Sequence, residues 1–401
     1  MNVFDTLKTR GFISQASDEV ELSRLLANLG ATGYIGFDPS TSSLHLGHLL
    51  PLMAMHYLQK AGHRVIFVLG GGTGRLGDPT GKRKMRPLLS LDQIAVNERN
   101  IQAQVEDTGL LNFHGENAAL MVNNDDWLSK LCFLDDFLMN VAKFFSVNEM
   151  VKMRTFADRL AKEENLSLME FCYPVLQAWD YLMLFENYNC RLQMGGQDQW
   201  ANILQGVNLI QRIHGETVYA LTLPLLTTPN GQKMGKTEKG PLWLDPKKTT
   251  PFDFYQYLVN IPDENVPQAL KLLTFLSLDE IDKIISENPK YAQQRLAYEV
   301  TKIVHGEERA KKAQADAERL FGTRMGATES IPVFQITESL PLNEILTYSG
   351  ALPSKSEVER RCVQGGIRIN NKKVTDYKTL VKGDCIIRYG KNSFLKIQLK
   401  N

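Results

Sequence analysis

The chain has 401 residues, with 46 Lys and Arg against 45 Asp and Glu, and 43% of its residues are hydrophobic. These values exclude a largely disordered chain and a protein that is basic throughout, and they predict two or three domains. Residues 351–401 nevertheless contain 12 Lys and Arg against 4 Asp and Glu. A basic C-terminal module therefore follows an acidic-leaning body.

The N-terminal segment shows no targeting signal. Met1–Lys8 is polar, no apolar segment follows it, and no run approaches the ~20 apolar residues that span a bilayer. The five cysteines are scattered and lack CxxC spacing, which disfavours a disulfide framework and a thiolate zinc site. We expect a cytoplasmic protein without a membrane segment.

Predicted strands and helices alternate in the first half of the chain. Thr32–Phe37 and Arg64–Leu69 are apolar and β-prone, and Leu49–Lys60 between them has helical spacing. This order predicts a parallel sheet, which Ala118–Val122 and Cys190–Met194 would extend. Because ligand sites in such sheets lie beyond the carboxyl ends of the strands, we expect the chemistry there.

The pattern changes in the second half. Helical periodicity extends from Asp263 to about Met325, the segment Gly326–Pro341 lacks it, and Leu342–Asn401 has the pattern of a helix followed by short strands. The predicted organisation is a sheet domain at residues 1–248, a helical domain at 249–325, a linker at 326–341 and a basic module at 342–401.

Two histidines follow the first predicted strand. His45 and His48 are three residues apart at a helix start, so they project from one face, and Gly47 allows a ligand to approach the backbone. Imidazoles beside the free N–H groups of a helix N-terminus suit a polyphosphate. Two surface histidines in a capped turn are the alternative. A metal site is disfavoured, because no third ligand stands nearby.

A glycine-rich segment, Gly70–Gly77, follows the second predicted strand. Its Gly72-x-Gly74-x-x-Gly77 formally matches a dinucleotide fingerprint, but Asp78–Gly81 breaks the chain where that motif needs a helix. We interpret it as backbone that a ligand approaches closely, or as a mobile solvated loop. A basic cluster that could close on phosphates comes next in the chain, formed by Lys82, Arg83, Lys84 and Arg86.

Three further groups of polar residues point to binding. Tyr173, Gln177 and Asp180 share one face of an apolar helix, which predicts a pocket wall or a satisfied structural network. Asp198 follows a predicted strand and would bind a ribose hydroxyl or cap a helix. The Lys233–Thr237 loop, Lys-Met-Gly-Lys-Thr, would neutralise a polyphosphate or form a surface turn.

In this order, the motifs resemble those of the class I aminoacyl-tRNA synthetases. His45–His48 is similar to the HIGH signature and Lys233–Thr237 to the KMSKS signature. Within the class, the chain resembles the bacterial-type tyrosyl-tRNA synthetases over essentially its whole length, through Gly33–Asp38, Tyr173–Asp180 and Gly195–Trp200. The resemblance implies an α/β fold, with a Rossmann-like parallel-sheet catalytic domain, an all-α domain and a small α+β RNA-binding module.

The resemblance also implies the reaction and its residues. L-tyrosine would be activated with ATP to tyrosyl-adenylate and transferred to the 3′ end of its tRNA, with magnesium accompanying ATP and no dedicated protein metal site. Tyr34 and Asp180 would bind the phenol hydroxyl. The α-ammonium group would be held by Tyr173, Gln177 and Asp78, with Asp38 near it.

For ATP, the resemblance implies a second set of contacts. His45 and His48 would contact the phosphates, and Asp198 would lie near the ribose. Asp38, Gly47 and Gly196 would border the adenylate. The leaving pyrophosphate would be met by a basic set that comprises Lys82, Arg86, Lys233 and Lys236, with Thr237 in the same catalytic loop.

Four positions depart from the family pattern. Gln197 and Ala201 stand where the family often has Ser and Gly, and Gly235 and Thr237 replace the serines of KMSKS, as is common in tyrosyl enzymes. Gln197 bears on the shape of the pocket. Tryptophanyl enzymes share the signatures but would not need Tyr34 with Asp180.

The C-terminal segment is similar to the RNA-binding module first seen in a small-subunit ribosomal protein, through Leu352–Arg361, Gly366–Asn370 and Val381–Asp384. In the family, this module and the helical domain hold the tRNA. The resemblance further implies a homodimer, with a connecting insert at about 125–170 whose Leu134–Leu168 part lies at the interface. Its Phe137, Phe144 and Phe145 would be buried either at this interface or in an ordinary core.

Two other functions fit parts of the sequence. The glycine pattern Gly72-x-Gly74-x-x-Gly77 suggests an NAD-linked dehydrogenase. The basic C-terminal module suggests a non-catalytic RNA-binding protein that retains a synthetase-like body. Tyrosine-dependent ATP–pyrophosphate exchange would distinguish the three hypotheses.

Overall fold

The computed structural model describes residues 2–82, 87–228, 231, 233–237, 240–321, 332–370, 372–390 and 393–399. The chain divides into two compact units, Met1–Ala310 and Lys311–Asn401. The helices of the first unit are α1 (Val3–Arg10), α2 (Glu19–Leu25), α3 (Leu46–Lys60), α4 (Leu91–Thr108), α5 (Asp125–Leu128), α6 (Val147–Met150), α7 (Arg154–Leu160), α8 (Leu168–Tyr188), α9 (Trp200–His214), α10 (Pro251–Val259), α11 (Val266–Leu273), α12 (Leu278–Glu287) and α13 (Pro289–His305). Helix α14 (Glu307–Phe321) follows, and a π-helical segment covers Phe133–Val141.

The strands of the first unit are β1 (Gln15–Ala16), β2 (Thr32–Phe37), β3 (Arg64–Leu69), β4 (Leu120–Asn123), β5 (Cys190–Gly196), β6 (Tyr219–Leu223), β7 (Lys236–Thr237) and β8 (Gly240–Pro241). The first six form one sheet in the order β1-β6-β5-β2-β3-β4, and β7 pairs with β8 in a hairpin. All pairs from β6 to β4 are parallel, whereas β1 is antiparallel to β6. The predicted α/β fold with a parallel sheet is confirmed.

The order of strands reverses beside β2. The chain proceeds from β2 to β3 and β4 on one side and then places β5 and β6 on the other. Such a reversal leaves a crevice at the carboxyl ends of the two strands that flank it. Here those strands are β2 and β5. Asp38 follows β2 directly, and Asp198 lies in the turn after β5.

Buried strands and close helix contacts form the core of this unit. Val65, Ile66 and Phe67 of β3 are fully buried, as expected for a strand covered on both faces. Helix α9 approaches α8 closely because Gly206 has no side chain: a Cβ there would lie 2.8 Å from the ring of Tyr181. Helices α8 and α9 therefore pack directly against each other.

The N-terminal helix is tied to the helices of residues 251–305 by one buried guanidinium. Arg10 donates hydrogen bonds to the carbonyl oxygens of Lys271, Thr274 and Leu276, where α11 ends and α12 begins. It also lies over the ring of Tyr57 on α3. These bonds satisfy carbonyl groups that a helix C-terminus leaves unpaired.

The second unit is a small α+β module. Its helices are α15 (Leu342–Tyr348) and α16 (Lys355–Val363), and its strands are β9 (Val333–Ile336), β10 (Leu340–Pro341), β11 (Arg368–Ile369), β12 (Lys372–Lys373), β13 (Leu380–Val381), β14 (Cys385–Arg388) and β15 (Phe394–Leu399). Five strands form a sheet in the order β12-β11-β14-β15-β9, and β10 pairs with β13. Its core contains Leu342, Ile345, Val358 and Ile397.

Several elements differ from the sequence predictions, and β5 (Cys190–Gly196) extends two residues beyond the predicted Cys190–Met194. Helix α3 begins at Leu46 rather than Leu49. Its first turn contains Gly47 and His48, whose low helix propensity obscures this start in the sequence. Strand β4 covers Leu120–Asn123 instead of Ala118–Val122. Part of the predicted linker, Val333–Ile336, is strand β9, which pairs in parallel with β15. Val333 and Gln335 are exposed while Ile336 is buried, but four residues are too few to show this alternation in the sequence. Across the described ranges, no helix is long and apolar enough to cross a membrane.

Candidate functional site

The two histidines cap the helix that carries them. His45 is the N-cap of α3, and its Nδ1 accepts the N–H of Gly47 at 3.1 Å, while Nδ1 of His48 accepts the N–H of His45 at 3.2 Å. The rings stack with centroids 3.9 Å apart. Burial lowers the pKa of both imidazoles, so both are neutral at neutral pH. With each Nδ1 accepting, Nε2 carries the proton and can donate to an anion.

Gly47 leaves room for the imidazole ring of His45 as well as for a ligand. A Cβ at this position would lie 2.9 Å from Cε1 of His45. Any larger residue would therefore displace the ring from the helix N-terminus. Glycine therefore leaves room for the imidazole of His45, a reason that spacing alone does not reveal.

Helix α8 places Tyr173, Gln177 and Asp180 along the crevice. The hydroxyl of Tyr173 donates to Oδ2 of Asp38 at 2.7 Å. Oε1 of Gln177 accepts from Nδ2 of Asn202 at 3.1 Å. Tyr173 and Asp38 are 135 residues apart in the chain, and the end of β2 brings the carboxylate to the phenol.

Asp180 is a buried carboxylate with two strong donors. Nδ2 of Asn124 lies 2.9 Å from its Oδ2, and Nε1 of Trp127 lies 2.8 Å from its Oδ1. Burial raises the pKa of Asp180 to about 7, although these two hydrogen bonds oppose the shift. The site therefore holds a carboxylate that is easily neutralised and well oriented.

Tyr34 provides a second polar group near Asp180. Burial and then the charge of Asp180 raise the pKa of this phenol well above its usual value, so it remains neutral. Its ring packs edge-on against Tyr181, with centroids 5.3 Å apart. Within the residues that the structure describes, its buried hydroxyl has no hydrogen-bond partner. A ligand hydroxyl would supply one.

Asp78 follows the glycine-rich segment and contacts the turn after β5. Its Oδ2 accepts from Nε2 of Gln199 at 2.7 Å, and its Oδ1 accepts the N–H of Thr80 at 2.9 Å. Gln199 and Asn202 both belong to the turn and helix that follow β5. The departure from the family pattern, Gln197, is exposed in the same turn.

The glycine-rich segment accommodates protein side chains rather than a dinucleotide. A Cβ at Gly70 would lie 2.1 Å from Oδ1 of Asp38. The N–H of Gly72 donates to Oδ1 of Asn124 at 2.8 Å, and only a short 3-10 turn, Thr73–Arg75, follows. A dinucleotide fingerprint needs free N–H groups at the start of a longer helix. The dehydrogenase hypothesis therefore loses its structural basis, and at Gly70 and Gly72 the groups next to the backbone are the side chains of Asp38 and Asn124.

The Lys233–Thr237 loop lies over the histidine helix. Nζ of Lys233 is 3.0 Å from Oδ2 of Asp198. The backbone between Lys233 and Lys236 lies against the histidine helix, since a Cβ at Gly235 would lie 3.1 Å from Cβ of Leu46, and both charges add to the effect of burial in lowering the pKa of His45. Gly196 leaves room for the carboxylate, because a Cβ there would lie 2.7 Å from Oδ1 of Asp198. Two cations and two imidazoles thus converge on one region.

Three predicted residues lie at the edge of what is described. Lys82 is exposed after the turn that ends at Gly81. Arg86 lies outside the described residues, as does the side chain of Thr237. In the part of the chain that is described, no three His, Cys, Asp or Glu side chains are grouped to hold a metal ion.

Sequence reasoning missed the residues that orient the predicted ones. Thr73, Asn124 and Trp127 contact the two carboxylates directly, and Gln199 and Asn202 contact Asp78 and Gln177. Asn124 comes directly after β4, so the rule that polar residues at strand ends form sites could have identified it. The others carried no local signal.

The second unit has a basic edge. Lys372 and Lys373 form β12, the outermost strand of its sheet, and both are exposed. Arg360 is exposed on α16 and pairs with Glu357. Exposed lysines on an edge strand can contact a phosphate backbone.

Comparison with known proteins gives two family matches and many relatives. The family "tRNA synthetases class I (W and Y)" matches residues 30–322, and the S4 domain matches residues 340–386. A tyrosine–tRNA ligase of Clostridium botulinum (strain 657 / Type Ba4) is 44% identical over 409 residues, and one of Acetivibrio thermocellus is 43% identical over 412 residues. Each match covers 99% of both chains.

Solved structures show the same relationship. A C-terminally truncated mitochondrial tyrosyl-tRNA synthetase of Aspergillus nidulans is 31% identical with a TM-score of 0.73, covering 80% of this chain and 94% of its own. A tryptophanyl-tRNA synthetase of Encephalitozoon cuniculi shares the fold at 15% identity and a TM-score of 0.56, covering 77% of this chain and 87% of its own.

Proposed function

The chain belongs to the class I tRNA synthetases for tryptophan and tyrosine and is a tyrosine–tRNA ligase of the bacterial type, and on that premise we propose how its residues act. In the first step, the carboxylate oxygen of tyrosine attacks the α-phosphorus of ATP and the bond to pyrophosphate breaks. In the second, a hydroxyl at the 3′ end of the tRNA attacks the tyrosyl carbonyl and AMP leaves. No covalent enzyme intermediate is required, so catalysis rests on positioning and charge stabilisation.

Tyr34 and Asp180 select the substrate. The observation that carries this proposal is the buried Asp180 carboxylate, held by two donors beside a buried phenol without a partner among the described residues. A phenol hydroxyl donates to Asp180 and accepts from Tyr34. Phenylalanine would offer neither a donor to Asp180 nor an acceptor to Tyr34, which can cost a factor of ~10⁴.

Replacement of one carboxylate tests this assignment. Asp180→Ala should lower kcat/KM for tyrosine in ATP–pyrophosphate exchange by at least about 100-fold and leave the KM for ATP within about threefold. Asp107→Ala, which removes an exposed carboxylate on α4, is the matched control. Retention of tyrosine use by Asp180→Ala would contradict the assignment.

The α-ammonium group of tyrosine is bound by the groups that meet near Asp38. Tyr173 and Asp38 already share a hydrogen bond of 2.7 Å, and Asp78 and Gln177 are oriented by neighbouring amides. Two carboxylates and two polar acceptors suit a primary ammonium.

ATP is bound by the histidine helix and the lysine loop. His45 and His48 donate from Nε2 to phosphate oxygens, Asp198 takes a ribose hydroxyl, and Gly47 and Gly196 border the adenylate. Pyrophosphate is met by the basic set of Lys82, Arg86, Lys233 and Lys236, with Thr237 in the same loop. Magnesium enters as part of the ATP substrate, which supplies most of its ligands.

The helical domain and the basic module hold the tRNA. We assign residues 1–248 to the catalytic domain, 249–325 to the helical domain, 326–341 to the connection and 342–401 to the module. The exposed Lys372 and Lys373 support the last assignment. Lys372→Glu with Lys373→Glu should lower tRNA charging by about tenfold and leave tyrosine-dependent exchange unchanged.

The enzyme is a homodimer of the cytoplasm. The insert at about 125–170 exposes Phe133 (65%), Leu134 (62%) and Met139 (63%), an apolar surface that suits a second copy, whereas Phe137 is buried in the core. Phe133→Asp with Met139→Asp should convert the dimer to a monomer in sedimentation analysis. The cysteines, free within the described ranges, suit a reducing compartment.

A further inference from the structure

The Lys233–Thr237 loop is attached to the helical part of the first unit at two points. The hydroxyl oxygen of Tyr257, on α10, accepts a hydrogen bond from the N–H of Gly235 at 2.7 Å. Nδ2 of Asn265, in the turn before α11, donates to the carbonyl oxygen of Thr227 at 2.8 Å. Thr227 forms an isolated β-bridge with Lys233. The helices therefore hold both the base and the centre of the loop.

Gly235 also contacts the histidine helix. Its φ is +81°, and a Cβ there would lie 3.1 Å from Cβ of Leu46, so both backbone and neighbour favour glycine. Its carbonyl oxygen accepts the N–H of Leu242 at 2.6 Å, and the N–H of Leu46 donates to the carbonyl oxygen of Leu242 at 2.9 Å. A displacement of Gly235 would thus move the loop relative to His45.

The centre of the loop is fixed, whereas the ends that bear charge are exposed. Met234 is buried and its N–H donates to the carbonyl oxygen of Leu226 at 2.7 Å. Lys233 and Lys236 on either side are exposed. The position of their ammonium groups therefore depends on the backbone at Met234 and Gly235.

We propose that Tyr257 is a positioning residue for tyrosyl-adenylate formation: its hydroxyl fixes Gly235 and, through it, Lys233 and Lys236 above the histidine pair. The inference rests on the proposed phosphate-binding role of this loop. In this role Tyr257 contacts the loop backbone rather than the substrate. It acts because a charge that stabilises departing pyrophosphate must be in place before the reaction, and a small misplacement reduces the rate.

Removal of one hydroxyl tests the proposal. Tyr257→Phe keeps the ring and should lower kcat for tyrosine-dependent ATP–pyrophosphate exchange by about 3- to 10-fold, the effect of one hydrogen bond. The KM for tyrosine and its equilibrium binding should stay within about twofold. Tyr291→Phe, at an exposed tyrosine of α13, should change neither quantity.

Two outcomes would overturn the proposal. An unchanged kcat in folded Tyr257→Phe would show that the hydroxyl does not position the loop. A loss of tyrosine binding equal to the loss of kcat would show a general disturbance of the site. The unfolding midpoint, measured in parallel, establishes that each variant is folded.

A combined variant separates the proposal from its premise. If Tyr257 acts through the lysines, adding Tyr257→Phe to Lys233→Ala/Lys236→Ala should not slow single-turnover adenylate formation further. If the lysine variant alone equals the wild type, the role of the loop is wrong. If Tyr257→Phe slows the lysine variant as much as it slows the wild type, Tyr257 acts elsewhere and only the present inference fails.

Discussion

Nδ2 of Asn124 lies 2.9 Å from Oδ2 of Asp180, and the same amide group lies 2.9 Å from Oγ1 of Thr73. Thr73 in turn donates to Asp38, which accepts from Tyr173. One buried carboxamide therefore joins the carboxylate assigned to the substrate phenol to the carboxylate assigned to its ammonium group. The two ends of the proposed tyrosine pocket belong to one hydrogen-bonded chain.

We expect Asn124→Ala to weaken both stability and tyrosine use. The change removes one of the two donors to the carboxylate of Asp180 and leaves the N–H of Gly72 without its acceptor, which should cost about 2–4 kcal/mol of unfolding free energy. The KM for tyrosine should rise. Urea denaturation and pyrophosphate exchange measure the two effects. Asn187→Ala, on the exposed side of α8, should change neither, and wild-type stability in Asn124→Ala would contradict the prediction.

Tyr34→Phe should separate stability from specificity. The lost hydroxyl is buried, and none of the described residues bonds it. The unfolding free energy should therefore stay equal or rise by about 1–2 kcal/mol. Discrimination between tyrosine and phenylalanine, measured as the ratio of kcat/KM in exchange, should fall. A large loss of stability would show that the hydroxyl has a structural partner.

Asp180 should make stability depend on pH. Burial raises its pKa to about 7, compared with about 3.9 in an unfolded chain. Between these values the folded protein binds more protons, so its free energy of unfolding falls as pH rises from about 4 to about 7. Relative to Asp180→Asn, the wild type should lose up to about 4 kcal/mol over this interval.

Urea denaturation at pH 4.5 and pH 8 measures that difference. Asp107→Asn, at an exposed carboxylate, should show a constant difference from the wild type at both pH values. A constant difference for Asp180→Asn as well would mean that the pKa of Asp180 is not raised.

A buried ion pair supports the helix that lines the pocket. Nη1 of Arg159 lies 2.7 Å from Oε1 of Glu170, with both side chains almost fully buried, and Glu170 also accepts the N–H of Ser167 at the start of α8. Arg159→Met should cost about 3–5 kcal/mol, because it leaves a buried charge unpaired. Addition of Glu170→Gln should recover part of this loss.

The matched control for that pair is an exposed one. Nε of Arg154 lies 3.6 Å from Oδ2 of Asp158, and 94% of the Arg154 side chain is exposed. Arg154→Met should cost less than about 1 kcal/mol in the same denaturation experiment. Equal costs at Arg154 and Arg159 would indicate that burial of the Arg159–Glu170 pair is irrelevant.

Much of the fold was accessible from the sequence. Strands β2 and β3 were predicted with their observed ends, because fully buried strands have continuous apolar runs. Strand β9 was not predicted, because four residues are too few to show a period and only their pairing with β15 makes them a strand. The start of α3 was misplaced because capping by His45 overrides the weak helix propensity of Gly47.

The sequence by itself determined which chemical groups the protein has and the local elements that carry them, since periodicity and motif spacing are properties of neighbouring residues. Only the tertiary structure decided which groups meet. Asp38 and Tyr173 are 135 residues apart, and Asn124 and Asp180 are 56 apart. The tertiary structure also explains Gly70, because a side chain there would collide with the carboxylate of Asp38. Such contacts depend on the order and register of strands across the sheet, which no short segment of the chain encodes.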